Sequence, residues 1–187
     1  MIFSRDKDKI NQLIDKLKNK EKLDLADEGD VEKYLGVEIE RNKEDKSISF
    51  KQTFLIQRAI ELAGLRDSNK VDIPAVKPPL GKDLEGASRT STWEYRSIIG
   101  LLNYISGSSR PEIAYTTHSS KIFSANPKAS HDKGVKSIIK YLKGTKENGL
   151  IMYTKNDKGL ECFVDAYFTG GWSTNESDDP ASVYSCT

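Results

Sequence analysis

The chain has only two cysteines among its 187 residues, Cys162 and Cys186, and they are far apart and form no CxxC pair. That excludes a disulfide-stapled scaffold and makes a reduced, intracellular protein the simplest reading. Long apolar runs are missing too. None approaches the roughly twenty residues that a bilayer span needs, and Met1-Ile2-Phe3 leads straight into charged residues rather than into the apolar stretch of a signal peptide. No membrane partner is expected. His118 and His131 have neither Cys nor His at ligand spacing, which argues against zinc. An excess of positive charge is also lacking. The net charge is +1, so any contact with nucleic acid has to come from local patches. Ser and Cys nucleophiles have no base close by in sequence, and internal repeats and low-complexity tracts are absent.

What the chain does have is helical periodicity, at a length that suits one domain or two small ones. Segment 92–145 reads as three helices, each followed by a stop. Ser91 or Thr92 is placed to cap the first, in which Tyr95, Ile98, Ile99, Leu102 and Ile105 recur at three- and four-residue steps. Gly107 and the serines after it end that run. Pro111 suits the first turn of the second helix, where its missing N–H costs nothing. This helix runs to about Ser124, and Asn126-Pro127 breaks the chain again. In the third, Val135, Ile138, Ile139 and Leu142 form an apolar stripe, with Gly144 placed as its C-terminal cap.

Before this segment, residues 6–20 read as a helix with Ile10, Leu13, Ile14 and Leu17 on one face, followed by an acidic connector ending at Gly29. Residues 34–41 read as a strand, because Leu35, Val37 and Ile39 alternate with Glu38 and Glu40. Gly36 inside it suggests a bulge or a close backbone approach. Residues 47–51 are the partner strand of a hairpin. Thr53 opens a helix with Leu55, Ile56, Ala59, Ile60 and Ala63 inward, ended by Gly64. Residues 66–91 carry Pro74, Pro78, Pro79, Gly81 and Gly86 without periodicity, and read as an extended linker between two subdomains. After 148, residues 149–153 and 160–165 read as two strands around a turn.

Two sets of charged residues invite a chemical reading. Lys133, Lys136, Lys140 and Lys143 share a helical face. They form either a solvated surface opposite the core or a row of cations for a phosphate backbone, and spacing alone does not choose. Asp6, Asp8, Asp24 and Asp27 lie at a helix start and in an acidic connector, where Asp6 serves more simply as an N-cap than as a metal ligand. Asp178-Asp179 sits in a polar loop. Asp165 ends an alternating strand, where by itself it reads as a carboxylate bonding its own loop.

Four motifs, in order, carry a resemblance. They are KYLGVEIER at 33–41, YRSIIGLLNYISGSSRPEIAY at 95–115, KYLKGT at 140–145 with Gly149-Leu150 after it, and VDAYFTGGW at 164–172. At these separations they resemble the polymerase polyprotein of copia-type LTR retrotransposons, over essentially the whole chain. The resemblance implies an α+β fold in four parts. Residues 1–51 would end the reverse-transcriptase palm, 52–91 would be a thumb-like helix and linker, and 92–148 a three-helix connection. Residues 149–187 would supply the first strands of a ribonuclease H-like sheet.

It further implies an RNA-directed DNA polymerase with ribonuclease H that uses Mg2+ and a template–primer duplex of RNA and DNA, inside a cytoplasmic particle or the nucleus. Asp165 becomes the first metal-binding ribonuclease H carboxylate. Tyr34, Leu35 and Gly36 become the primer grip, where backbone holds the primer end. The polymerase Asp pair is expected upstream of the segment matched by Ile2-Phe3-Ser4, and further ribonuclease H carboxylates after the last residue. Two-metal phosphoryl transfer needs several carboxylates, so this piece, without the remainder of the polyprotein, is expected to be inactive. The alternative is a non-catalytic nucleic-acid-binding or interaction module derived from a degenerate element.

Overall fold

The computed structural model describes residues 6–24 and 29–153. The chain falls into two compact units, Met1–Glu32 and Lys33–Thr187. The first contains α1 (Lys7–Asn19), capped as expected by Asp6, whose carboxylate accepts the backbone N–H of Asp8 at 3.0 Å. Ile10, Ile14 and Leu17 are half-buried along one face, while Leu13 is exposed.

The second unit is mixed helix and sheet. Its four strands, β1 (Lys33–Tyr34), β2 (Val37–Asn42), β3 (Ser47–Lys51) and β4 (Leu150–Tyr153), pair antiparallel in that order. The expected unbroken strand from 34 to 41 is instead a hairpin. Tyr34 pairs with Val37 across the two-residue turn Leu35-Gly36. Both turn residues have positive φ, 50° and 79°, as a type I′ turn requires. Alternation misled here because Leu35 looked like an inward strand position, whereas its side chain is exposed at the turn. The β2–β3 connection is held by its own side chains: Asn42 accepts the N–H of Glu44 and Asp45 that of Ser47, both at 2.9 Å. β4 takes its described partner from far back in the chain. Leu150 pairs with Phe50 and Tyr153 with Ser47. The approach is close enough that a Cβ on Gly149 would lie 2.3 Å from the Phe50 carbonyl oxygen, so only glycine fits. The second expected strand, 160–165, lies outside the described residues.

Four helices form where they were anticipated: α2 (Thr53–Leu62), α3 (Tyr95–Ser108), α4 (Ala114–Lys121, after a 3-10 turn at Pro111–Ile113, ending short of Ser124) and α5 (Ala129–Gly144). Ile56 and Ile60 of α2, the whole predicted stripe of α3, and Val135, Ile138, Ile139 and Leu142 of α5 form one core with Ile113. Each such side chain stabilises the fold by about 1.5–3 kcal/mol through removal from water. The ends differ from expectation. α3 starts at Tyr95 without a side-chain cap, because its N-cap position falls on Glu94, past Ser91 and Thr92, and Trp93 stacks on Tyr95 with ring centres 5.8 Å apart. It also runs through Gly107, and Gly144 is the last helical residue of α5 rather than a left-handed cap. Burial pushes the Tyr95 phenol well above its ordinary pKa, and its hydroxyl donates to the Ser120 carbonyl at 2.9 Å.

Segment 66–91 does not separate two subdomains, since α2 before it and α3 after it share the core. It runs back along α5 as a strap. Lys70 packs on Gly144 and Leu80 on Gly134. The Gly81 carbonyl meets His131 Nε2 at 2.8 Å, and Arg89 pairs with Asp132 at 2.6 Å. Arg89 also bonds the Trp93 carbonyl at 2.9 Å and lies over the Trp93 ring. His131 is fully buried in the first turn of α5. Its Nδ1 accepts the Lys128 N–H at 2.8 Å, so Nε2 carries the proton and donates to Gly81. With both nitrogens engaged, its role is structural.

Arg110 is the largest fully buried side chain. It donates to the carbonyl and hydroxyl of Thr145 at 2.9 and 2.6 Å and to Glu112 at 2.6 Å, joining the end of α3 to the C-terminus of α5, where a cation is favoured. Arg110→Ala should therefore lower the unfolding free energy in urea by roughly 2–4 kcal/mol, since it empties a buried volume and removes two charge-assisted bonds to Thr145. Glu112→Gln, at a half-exposed carboxylate, should cost less than about 1 kcal/mol. Equal losses would show that the ion pair, and not the clamp on Thr145, is what stabilises this corner.

Candidate nucleic-acid interface

The tip of the β1–β2 hairpin is built by local chemistry. Glycine at the second turn position permits the type I′ geometry, and it lets the backbone settle onto α2, where a Cβ on Gly36 would lie 3.2 Å from Leu55 Cδ1. Beside it, Thr53 at the start of α2 donates to Glu38 of β2 at 2.6 Å. Deeper in, Ser109 donates to Gln52 at 2.8 Å, tying the end of α3 to the start of α2. Tyr34 and Leu35 remain solvent-exposed. From α3, the Tyr104 hydroxyl donates to the Leu35 carbonyl at 2.7 Å. Sequence reasoning did not single out Tyr104. The available signal was an aromatic residue placed off the apolar stripe of α3.

The lysines of α5 divide into two kinds. Lys133 is exposed, and Lys136 and Lys140 are half-exposed. None of these three pairs with a described carboxylate. Lys143 is different. Its ammonium donates to the carbonyls of Leu65, at 3.3 Å, Ser68, at 2.6 Å, and Arg66. All three of its protons are thus used to cap the chain leaving α2. Lys51 on β3 is likewise engaged. Its hydrogen bond to Glu40, at 2.8 Å, holds the ammonium above the usual lysine pKa despite slight burial.

Among the described residues no three His, Cys, Asp or Glu side chains converge. Asp165, like Asp27, Asp178 and Asp179, lies outside the described residues. Among them, too, no helix is long and apolar enough to cross a membrane.

Comparison with known proteins finds relatives along nearly the whole chain. Over 98% of its length the chain is 25% identical to a retrovirus-related Pol polyprotein from transposon RE1 of Arabidopsis thaliana. Over 95% it is 27% identical to the one from transposon TNT 1-94 of Nicotiana tabacum. It spans only 12% and 14% of those two polyproteins. An uncharacterized mitochondrial protein of Arabidopsis thaliana is 26% identical over 90% of the chain, which spans 68% of that protein. Over nearly its whole length the chain is thus similar to a short part of these retrotransposon Pol polyproteins. No family model and no solved structure matches it.

The two kinds of lysine should be separable by stability. Lys143→Gln removes the bonds to these carbonyls and should cost about 1–2 kcal/mol in urea unfolding, whereas Lys140→Gln should stay within about 0.5 kcal/mol of wild type. An unaffected Lys143 variant would return it to the solvated stripe.

Proposed function

We propose that this chain is part of an RNA-directed DNA polymerase with an attached ribonuclease H, and that its own task is to hold a template–primer duplex. The observation that carries this reading is similarity to Pol polyproteins across nearly the whole chain. Residues 1–51 would then be the end of the palm, 52–91 thumb-like, 92–148 the connection and 149–187 the start of a ribonuclease H-like domain. The hairpin tip at Tyr34, Leu35 and Gly36 is the primer-side contact, offering backbone where a side chain would intrude. Lys133, Lys136 and Lys140 supply attraction to phosphate that does not depend on sequence. Lys143, whose protons are engaged, contributes through the position of α5. Catalysis belongs to carboxylates: these residues contain no Tyr-x-Asp-Asp, and Asp165 is one Mg2+ ligand where two-metal chemistry needs several.

A second reading, a binding or interaction module derived from a degenerate element, is favoured by the mitochondrial relative, most of whose length the chain spans. Under both readings the purified chain binds duplex without turning it over.

Binding to an RNA–DNA hybrid should weaken steeply with salt. Replacing Lys133, Lys136 and Lys140 together by Gln should flatten the slope of log affinity against log salt by about one for each phosphate no longer neutralised. An unchanged slope would make the stripe a solvated face only, and primer extension by residues 1–187 with Mg2+ would refute the non-catalytic assignment. In a longer protein containing the complete ribonuclease H domain, Asp165→Asn should abolish RNA cleavage. Retained cleavage would remove Asp165 from the metal site.

A further inference from the structure

We propose that Tyr104 is a positioning residue for the hairpin tip, its hydroxyl holding the Tyr34-Leu35-Gly36 turn in the shape that meets nucleic acid. This rests on the reading of that turn as a duplex contact.

The turn needs an external hold. A type I′ turn favours Asn, Asp or Gly at its first central position, and here that position is Leu35, at φ 50°. A branched apolar residue in the left-handed region is strained and persists only where its surroundings fix it. Burial supplies little of that hold, since Leu35 is 70% exposed. β1 has only two residues, so its ladder adds little more. Two contacts remain: the seat of Gly36 on Leu55, and the bond from Tyr104 to the Leu35 carbonyl at 2.7 Å, spanning 69 residues of sequence.

Tyr104 is also poorly explained as a core residue. Its neighbours Leu102 and Ile105 are fully buried, whereas Tyr104 is 39% exposed. Its distinctive contact is therefore the hydroxyl bond. Through it, α3, which carries one family motif, sets the shape of the turn that carries another. A ligand that binds only the tethered turn loses apparent affinity in proportion to the fraction of molecules with the turn in place.

The test uses the full chain and Tyr104→Phe, which removes one oxygen atom. Tyr115→Phe serves as control, because Tyr115 is 71% exposed and its hydroxyl has no partner among the described residues. Amide resonances of Leu35 and Gly36 are followed by NMR, and affinity is measured by anisotropy with an RNA–DNA hybrid bearing a recessed primer end. The Tyr104 variant should shift the Leu35 and Gly36 resonances, leave those of α5 in place, and bind the hybrid about five-fold more weakly, the loss typical of one hydrogen bond. The Tyr115 variant should change neither. Unmoved turn resonances in Tyr104→Phe would overturn the tether. Shifted resonances with unchanged affinity would overturn the positioning role. A wild-type chain that fails to bind the hybrid, while the variant still shifts the turn, would instead overturn the reading of the turn as a contact, and the positioning role with it.

Discussion

The inward stripe of α3 is the constraint on which the rest depends. Tyr95, Ile98, Ile99, Leu102 and Ile105 cannot be hydrated cheaply, and one helix cannot cover them. α2 and α5 close over this stripe from the same core, although the sequence between them runs through a long Pro- and Gly-containing segment. Once those helices are fixed, the other contacts have a place to form. Gln52 and Ser109 meet where α2 begins and α3 ends, Arg110 reaches Thr145, and the strap lies back on α5.

Three of the four motifs behind the resemblance, those among the described residues, also touch one another. KYLGVEIER contributes the hairpin whose Leu35 carbonyl receives Tyr104 from the next motif. That motif contributes Arg110, which clamps the Thr145 that ends KYLKGT. Gly149, just beyond, brings β4 onto β3. These segments share one core that presents a backbone turn on one element and lysines on another, the two features that the proposed duplex contact uses.

Much of this was legible in the sequence wherever burial follows a short period. The stripes of α2, α3 and α5 are buried as spaced, Asp6 caps α1, and β2 and β3 form the expected hairpin. Three features were not legible, each for a physical reason. The turn at Leu35-Gly36 hid inside an alternating pattern because leucine is a poor turn residue, kept there by a hydroxyl far away in sequence. The strap showed no periodicity because it binds through single contacts such as Leu80 on Gly134 and Arg89 on Asp132. Lys143 matched the other lysines in spacing, yet the chain leaving α2 passes beside it and its carbonyls engage the ammonium. At the interface, likewise, the residue types were readable and their tethering was not.

The central claim is that the hairpin tip and the exposed lysines of α5 face nucleic acid. It is tested most directly by photocrosslinking from single positions of the full chain to a labelled RNA–DNA hybrid with a recessed primer. A photoreactive residue at position 35 should crosslink to the primer strand near its 3′ end. One at 136 should crosslink to backbone-proximal positions along the duplex, and one at the exposed position 115 should give only background. Equal yields from 35, 136 and 115, or crosslinks from 115 alone, would contradict the account.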